Sequence, residues 1–290
     1  MSNVLDIRNL ELGFKGYVGF TKVLHGISLS IAKGERVALV GESGSGKSVT
    51  ARIILGLLQE LRAARITGEL HFNGQDLNHL SRRQWHALRG TDMSMIFQDP
   101  TSSLNPVFTV ANQFAEVLRR REEKLTDSEA RARASELLDS VHIPNPARVL
   151  DSYPFQLSGG MNQRVVIAMA LANHPSLLIA DEPGTALDVT VQAQTLKLMR
   201  EMVESNDTAV LFISHNLGVV REFADRIYVI YRGNIVEEGP TEAVFANPGH
   251  AYTRALMSAV PRITGGGIPD IADTSDAFLD PLVSHSENKS

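Results

Sequence analysis

The sequence predicts an α/β fold: a mostly parallel sheet with crossover helices, an N-terminal antiparallel β layer and an inserted α-helical subdomain. Three patterns predict it. Short apolar, β-branched runs at Arg36–Val40, 93–97, 177–180 and Ala209–Ser214 alternate with helical patterns, and Arg226–Tyr231 is a candidate fifth. Such runs suit strands buried on both faces, and the helices between them suit crossovers. Residues 4–8 and 26–31 instead alternate or run apolar at the N-terminus, as a half-covered antiparallel layer does. Between Gln98 and Leu157 the strand signal vanishes.

Taken in order, residues 4–8 and 26–31 form the antiparallel layer, and 68–72 and 234–237 share their character. Arg36–Val40 reads as a buried strand and 48–58 as the helix after it. In the helical stretch, Thr126-Asp127-Ser128-Glu129 is a capping box, in which hydroxyl and carboxylate satisfy free N–H groups reciprocally. Ala130, Ala134, Leu137, Leu138 and Val141 then recur on one helical face, and Pro144 and Pro146 end it. This places one domain at 1–260, with its helical subdomain at about 99–160. Past Pro261, Gly265-Gly266-Gly267 and polar, acidic residues predict a flexible tail over 261–290.

Composition narrows the function. Of 290 residues, 43% are hydrophobic, enough for a full core. A net charge of −5 offers no general attraction to nucleic acid. The absence of cysteine excludes disulfides, thiolate metal sites and iron–sulfur clusters. The start lacks a basic stretch followed by an apolar run, and no apolar stretch is long enough to span a membrane.

Gly41-Glu42-Ser43-Gly44-Ser45-Gly46-Lys47-Ser48 matches the G-x4-G-K-[ST] phosphate loop. Its glycines let successive N–H groups turn toward one anion. Lys47 would reach the β- and γ-phosphates of ATP, and the Ser48 hydroxyl would ligate Mg²⁺. A strand before the loop and a helix after it place the phosphates at a helix N-terminus, as in a P-loop NTPase core. Val49 follows within the nucleotide-contacting stretch. The run 177–180 delivers Asp181 and Glu182 to the strand end where open α/β sheets bind ligands. Adjacent strand residues face opposite ways, so Asp181 is assigned to the metal and Glu182 to the attacking water. Gln98 ends its strand and can reach metal or water. His215 ends another and can donate to the γ-phosphate.

These motifs, with Leu157-Ser158-Gly159-Gly160 and Ala186-Leu187-Asp188, stand in the order of an ABC-transporter ATPase, which the chain resembles over about residues 3–260. Gln98-Asp99-Pro100-Thr101-Ser102-Ser103-Leu104-Asn105-Pro106, Tyr153-Pro154-Phe155-Gln156 before the Ser-Gly-Gly turn, Val189-Thr190-Val191-Gln192-Ala193-Gln194 after Asp188, and Ala251-Tyr252-Thr253-Arg254-Ala255-Leu256 are similar to the importer branch for oligopeptides, dipeptides and nickel. The resemblance implies an ATP-hydrolysing subunit that sandwiches two ATP molecules head to tail with a second copy or a paralogue. Ser158, Gly159 and Gly160 would bind the partner's nucleotide, Asp188 would lie at the dimer seam, and an aromatic, Phe14 with Tyr17 in reserve, would stack on adenine. A groove beside Gln98 would receive a short helix of a membrane permease. The chain would sit peripherally on the cytoplasmic face of the inner membrane, served by a solute-binding protein, and import a short peptide. Alternatives are a weakly hydrolytic regulatory partner, or a subunit importing nickel or another solute.

Two departures from the family pattern bear on this. Gly184 stands where Thr or Ser is usual and would loosen the seam, so Gly184→Thr would raise turnover unless the backbone there has a positive φ. Asn162 replaces a basic residue and would remove a charge near the partner's phosphate.

Overall fold

The strand and helix patterns resolve into two compact units in the computed structural model, which describes residues 3–16, 19–184, 189–259 and 282–285. One unit comprises residues 1–79 and 211–290, the other residues 80–210. The first begins with β1 (Asn3–Lys15), β2 (Phe20–Ala32), β3 (Arg36–Val40), α1 (Lys47–Ile54), β4 (Ala64–Phe72) and β5 (Gln75–Asp76). The second holds α2 (Arg82–Leu88), β6 (Met93–Ile96), α3 (Pro100–Ser103), α4 (Val110–Arg119), α5 (Asp127–Ser140), α6 (Pro146–Leu150), α7 (Gly159–Leu171), β7 (Leu177–Asp181) and α8 (Val189–Ser205). β8 (Ala209–Ser214) leads the chain back to the first unit. There follow α9 (Leu217–Phe223), β9 (Arg226–Tyr231), β10 (Asn234–Pro240), α10 (Thr241–Ala246), α11 (Ala251–Ser258) and β11 (Val283–Ser284).

The N-terminal layer is the expected antiparallel sheet, in the order β2-β1-β4-β5. Leu5 lies opposite both Ile31 and Phe72, and Leu12 opposite Leu24 and Ile66. The apolar residues of β1 that are 1% exposed or less are Leu5, Ile7, Leu10 and Leu12, so the period-2 pattern skips a residue after Ile7. The ladder shifts there. Asn9 takes a positive φ of 49° and donates its N–H to Ser28 Oγ at 3.0 Å. The bulge thus absorbs one residue and keeps both halves of the strand facing the core.

The parallel pairs also form. In the first unit β3 runs parallel to β9, and in the second β6 runs parallel to β7. Residues 234–237 do not belong to the N-terminal layer. They begin β10, which pairs antiparallel with β9. A short run cannot state its partner, because its pattern records burial and not the identity of the covering strand. Within the segment expected to be loose, β11 runs parallel to β10.

The helical stretch of the second unit packs Leu118, Leu125, Ala130 and Ala172 into one cluster. The capping box is present: Thr126 N donates to Glu129 Oε2 at 2.9 Å, and Glu129 N to Thr126 Oγ1 at 3.3 Å. Pro146 does not end α5, which stops at Ser140. It opens α6, where its missing N–H costs nothing. α1 starts at Lys47 and ends at Ile54, four residues short of the expected end.

Glu237 on β10 is fully buried and ties the C-terminal elements of the first unit together. It accepts from Gly249 N (2.7 Å) and His250 N (3.1 Å), and His285 Nε2 lies 2.7 Å away. Burial pushes its carboxyl up, but Thr253, His285 and the two N–H donors outweigh burial and hold it below the ordinary 4.5. A depressed folded pKa adds stability above about pH 4.5, which is lost as the pH falls through the folded value. Glu237→Ala orphans several donors and should cost about 2–5 kcal/mol in urea unfolding at pH 7. The variant should also lose less stability than wild type between about pH 5 and 3. Equal unfolding midpoints would refute the clamp.

Candidate functional site

Residues 41–48 form one candidate site, in the first unit. β3 is buried throughout 37–40 and ends at the loop. A Cβ at Gly41 would overlap the Ile230 carbonyl of β9, so only glycine lets the loop leave the sheet on this path. Ser45 N donates to Glu42 O at 3.2 Å, and Gly233 N donates to Ser45 O at 2.9 Å. Gly46 caps α1 in the left-handed region, and Thr50 Oγ1 donates back to Gly46 O at 2.8 Å. Lys47 is 6% exposed. Its Nζ donates to Gly41 O at 2.7 Å and to Glu42 O at 2.6 Å.

This donor set fits an anion with several oxygens. The buried ammonium stands at the first turn of a helix with no acid in that turn. The buried Ser45 Oγ has no hydrogen-bond partner among the described residues. Ser43 and Gly44 are exposed, while Ser48 and Val49 are half-buried in the first turn of α1. Dipole, free N–H groups and ammonium all favour negative charge here. Among the described residues, no group of three or more His, Cys, Asp or Glu side chains could hold a metal ion.

His215 also lies in the first unit, exposed immediately after β8. Phe14 is half-buried on β1, opposite Thr21 and Ala64. Phe20 is the more exposed aromatic, at 55%, and its ring lies over Gly13. Tyr17 falls outside the described residues.

The second unit holds a separate group of candidate residues. β7 buries residues 177–180 completely and presents Asp181 at its end, with Glu182 next. The parallel register sets Ile96 opposite Ala180, so the residues beyond the two strands emerge at one end. Gln98 Nε2 accordingly donates to Glu182 Oε2 at 3.0 Å. Glu182 has a φ of 50°, uncommon for a non-glycine residue and of the kind that clusters at functional sites. Ser158 caps α7 and accepts from Met161 N at 3.3 Å. Gly159 and Gly160 are the first helical residues, with Gly159 exposed and Gly160 half-buried. The turn thus opens the helix two residues before Met161.

Asn162 is 3% exposed, and its Nδ2 donates to Pro154 O at 3.0 Å, which braces the 154–156 turn. Asp188 falls outside the described residues. Sequence reasoning missed Gly233, whose N–H holds the phosphate loop, because no motif spans residues so far apart. It met Tyr252 only inside the importer-like run 251–256, with no role attached.

The ABC transporter family model matches residues 24–185, and that for the oligopeptide/dipeptide transporter C-terminal region matches residues 236–276. The chain is 46% identical over 267 residues to the oligopeptide transport ATP-binding protein OppD of Bacillus subtilis, covering 92% of this chain and 74% of the relative. It is 47% identical over 283 residues to the probable peptide ABC transporter ATP-binding protein y4tR of Sinorhizobium fredii, covering 97% and 84%. Among solved structures it is similar to the ATP-binding cassette MJ0796 in a dimeric post-hydrolysis state bound to ADP and Pi. The TM-score is 0.72 at 29% identity, covering 82% of this chain and 98% of that one.

Gly184 reverses the expected benefit of threonine. Its φ is +95°, where a β-branched side chain is strained. Gly184→Thr should therefore destabilise the chain by about 1–3 kcal/mol and lower turnover. Urea unfolding is the direct measure, and a variant as stable as wild type would show that the backbone there relaxes at no cost.

Proposed function

This chain belongs to the ABC transporter family, and from that premise we propose that it is the ATP-binding and ATP-hydrolysing subunit of an importer. The observation that carries the proposal is Lys47, a buried ammonium fixed within a donor-rich loop at a helix N-terminus. The ligand is ATP. The loop's N–H groups hold its phosphates, and Lys47 pairs with the β- and γ-phosphates. Ser48 and Asp181, with Gln98, would hold Mg²⁺, which when bound supplies charge neutralisation at the phosphate oxygens. Magnesium keeps waters and phosphate oxygens among its ligands, so an all-protein cage is not required.

Glu182 is the proposed base. Its carboxylate orients the attacking water and accepts its proton, and the Gln98 amide at 3.0 Å holds that carboxylate in place. His215 donates to the γ-phosphate, and Phe14 stacks on adenine. By likeness to the family, Ser158, Gly159 and Gly160 act on the nucleotide of a second subunit, and the helix N-terminus they open suits an anion. Asp188 lies at the seam between subunits.

The transported solute is a short peptide, by likeness to relatives named for oligopeptide and peptide transport. Among the described residues no helix is long and apolar enough to cross a membrane. By likeness to the family, separate permease subunits would carry the solute and hold the chain at the cytoplasmic face of the membrane, with a solute-binding protein delivering cargo. Phe97, Val107, Phe108 and Phe155 are exposed on the second unit and offer apolar contact to a permease helix.

Two experiments test this reading. Glu182→Gln keeps shape but cannot accept a proton, so ATP turnover in the assembled transporter should fall about 10²–10⁴-fold while ATP binding survives. Near-normal turnover would sink the assignment. Gly160→Asp sets a carboxylate against phosphate, so ATP-driven dimerisation followed by light scattering should fail while the monomer still binds ATP. A Cβ at 160 would stand 3.0 Å from Val191 Cγ1, so Gly160→Ala reports the crowding alone. If the alanine and aspartate variants dimerise alike, charge at this turn does not matter.

A further inference from the structure

The peptide unit joining Gly41 to Glu42 is held at both ends. Its carbonyl accepts Lys47 Nζ at 2.7 Å. Its N–H, on the opposite edge of the same plane, donates to the Tyr252 hydroxyl at 3.0 Å. A peptide is rigid and planar, so fixing its N–H fixes the direction of its carbonyl. The group that orients the carbonyl under the lysine thus comes from α11, about two hundred residues along the chain.

Tyr252 is itself firmly placed. It is fully buried, and its ring packs on Tyr231 with centroids 4.3 Å apart. Its N–H donates to His250 Nδ1 at 3.1 Å, the cap of α11. The turn that carries His250 is gripped in turn by the buried Glu237 carboxylate, through Gly249 N and His250 N. Burial pushes the Tyr252 hydroxyl above its usual range, so it stays protonated at physiological pH.

We infer that Tyr252 is a positioning residue for the phosphate loop: its hydroxyl sets the plane of the 41–42 peptide, whose carbonyl sets the Lys47 ammonium. The C-terminal segment is on this view part of the nucleotide site's scaffold. The inference rests on the nucleotide-binding reading of that loop and adds a residue that does not itself touch nucleotide. Tyr252→Phe keeps the ring on Tyr231 and deletes only the acceptor. The 41–42 peptide is then free to rotate, and Lys47 loses a fixed anchor.

The test is equilibrium titration of a fluorescent ATP analogue into the full-length chain, with melting temperature measured in parallel. Tyr252→Phe should weaken analogue binding about 3- to 10-fold, the worth of one hydrogen bond, with a melting temperature within about 2 °C of wild type. On a Lys47→Ala background, titrated to millimolar analogue, the same change should have almost no effect, because the group it positions is gone. Unchanged affinity in Tyr252→Phe would overturn the inference. So would an equal loss on both backgrounds, or a loss matched by a fall in melting temperature of more than about 5 °C. Failure of the wild-type chain to bind the analogue is a different result and would overturn the nucleotide-binding reading itself.

Discussion

The phosphate loop works because backbone meets backbone at its base with no side chain between. Gly41 lies against the Ile230 carbonyl of β9, and a Cβ there would overlap it. Gly233, in the turn after β9, is wedged in the same way against Val23 of β2. Its N–H donates to Ser45 O, and its carbonyl accepts from His25 N. One glycine therefore joins the N-terminal layer to the loop through two hydrogen bonds. A side chain at either position would push the loop from the strands that shape it, and the donors would no longer converge.

Rigidity at the base is what gives Lys47 its value. A lysine side chain has several rotatable bonds and loses entropy when it is fixed. Here two loop carbonyls hold the ammonium. An anion that binds such a site finds its charge partner already ordered, which is the physical content of preorganisation. The second unit follows the same logic with different parts. Two parallel strands bring Gln98 and Glu182 to one end, and a serine cap opens the helix at Gly159. Strand ends and helix starts, rather than long loops, carry the polar groups.

The parts that were legible in the sequence are those that local chemistry dictates. The capping box at Thr126 and Glu129 forms because serine- and threonine-type caps satisfy N–H groups three residues away, whatever surrounds them. The buried strands 36–40 and 177–181 appear because apolar β-branched runs of that length have few alternatives. The misreadings arose where strand pairing or a backbone torsion decides. The run 234–237 looked like a strand of the N-terminal layer but pairs with β9. Gly184 looked like a loosened hinge, yet its backbone has a positive φ that suits glycine.

Residue order alone determined the motif content of this protein: a phosphate loop between strand and helix, two carboxylates at a strand end, a Ser-Gly-Gly helix start and the family to which these belong. Each follows from groups within a few residues of one another, whose geometry the local backbone sets. Only the tertiary structure decided which remote groups complete them. Gly233 beneath Ser45 and Tyr252 behind Glu42 are far from their partners in sequence, and no periodicity records such contacts. They exist because packing brings a donor to an acceptor that would otherwise be buried without a partner, and that pairing is a property of the folded chain as a whole.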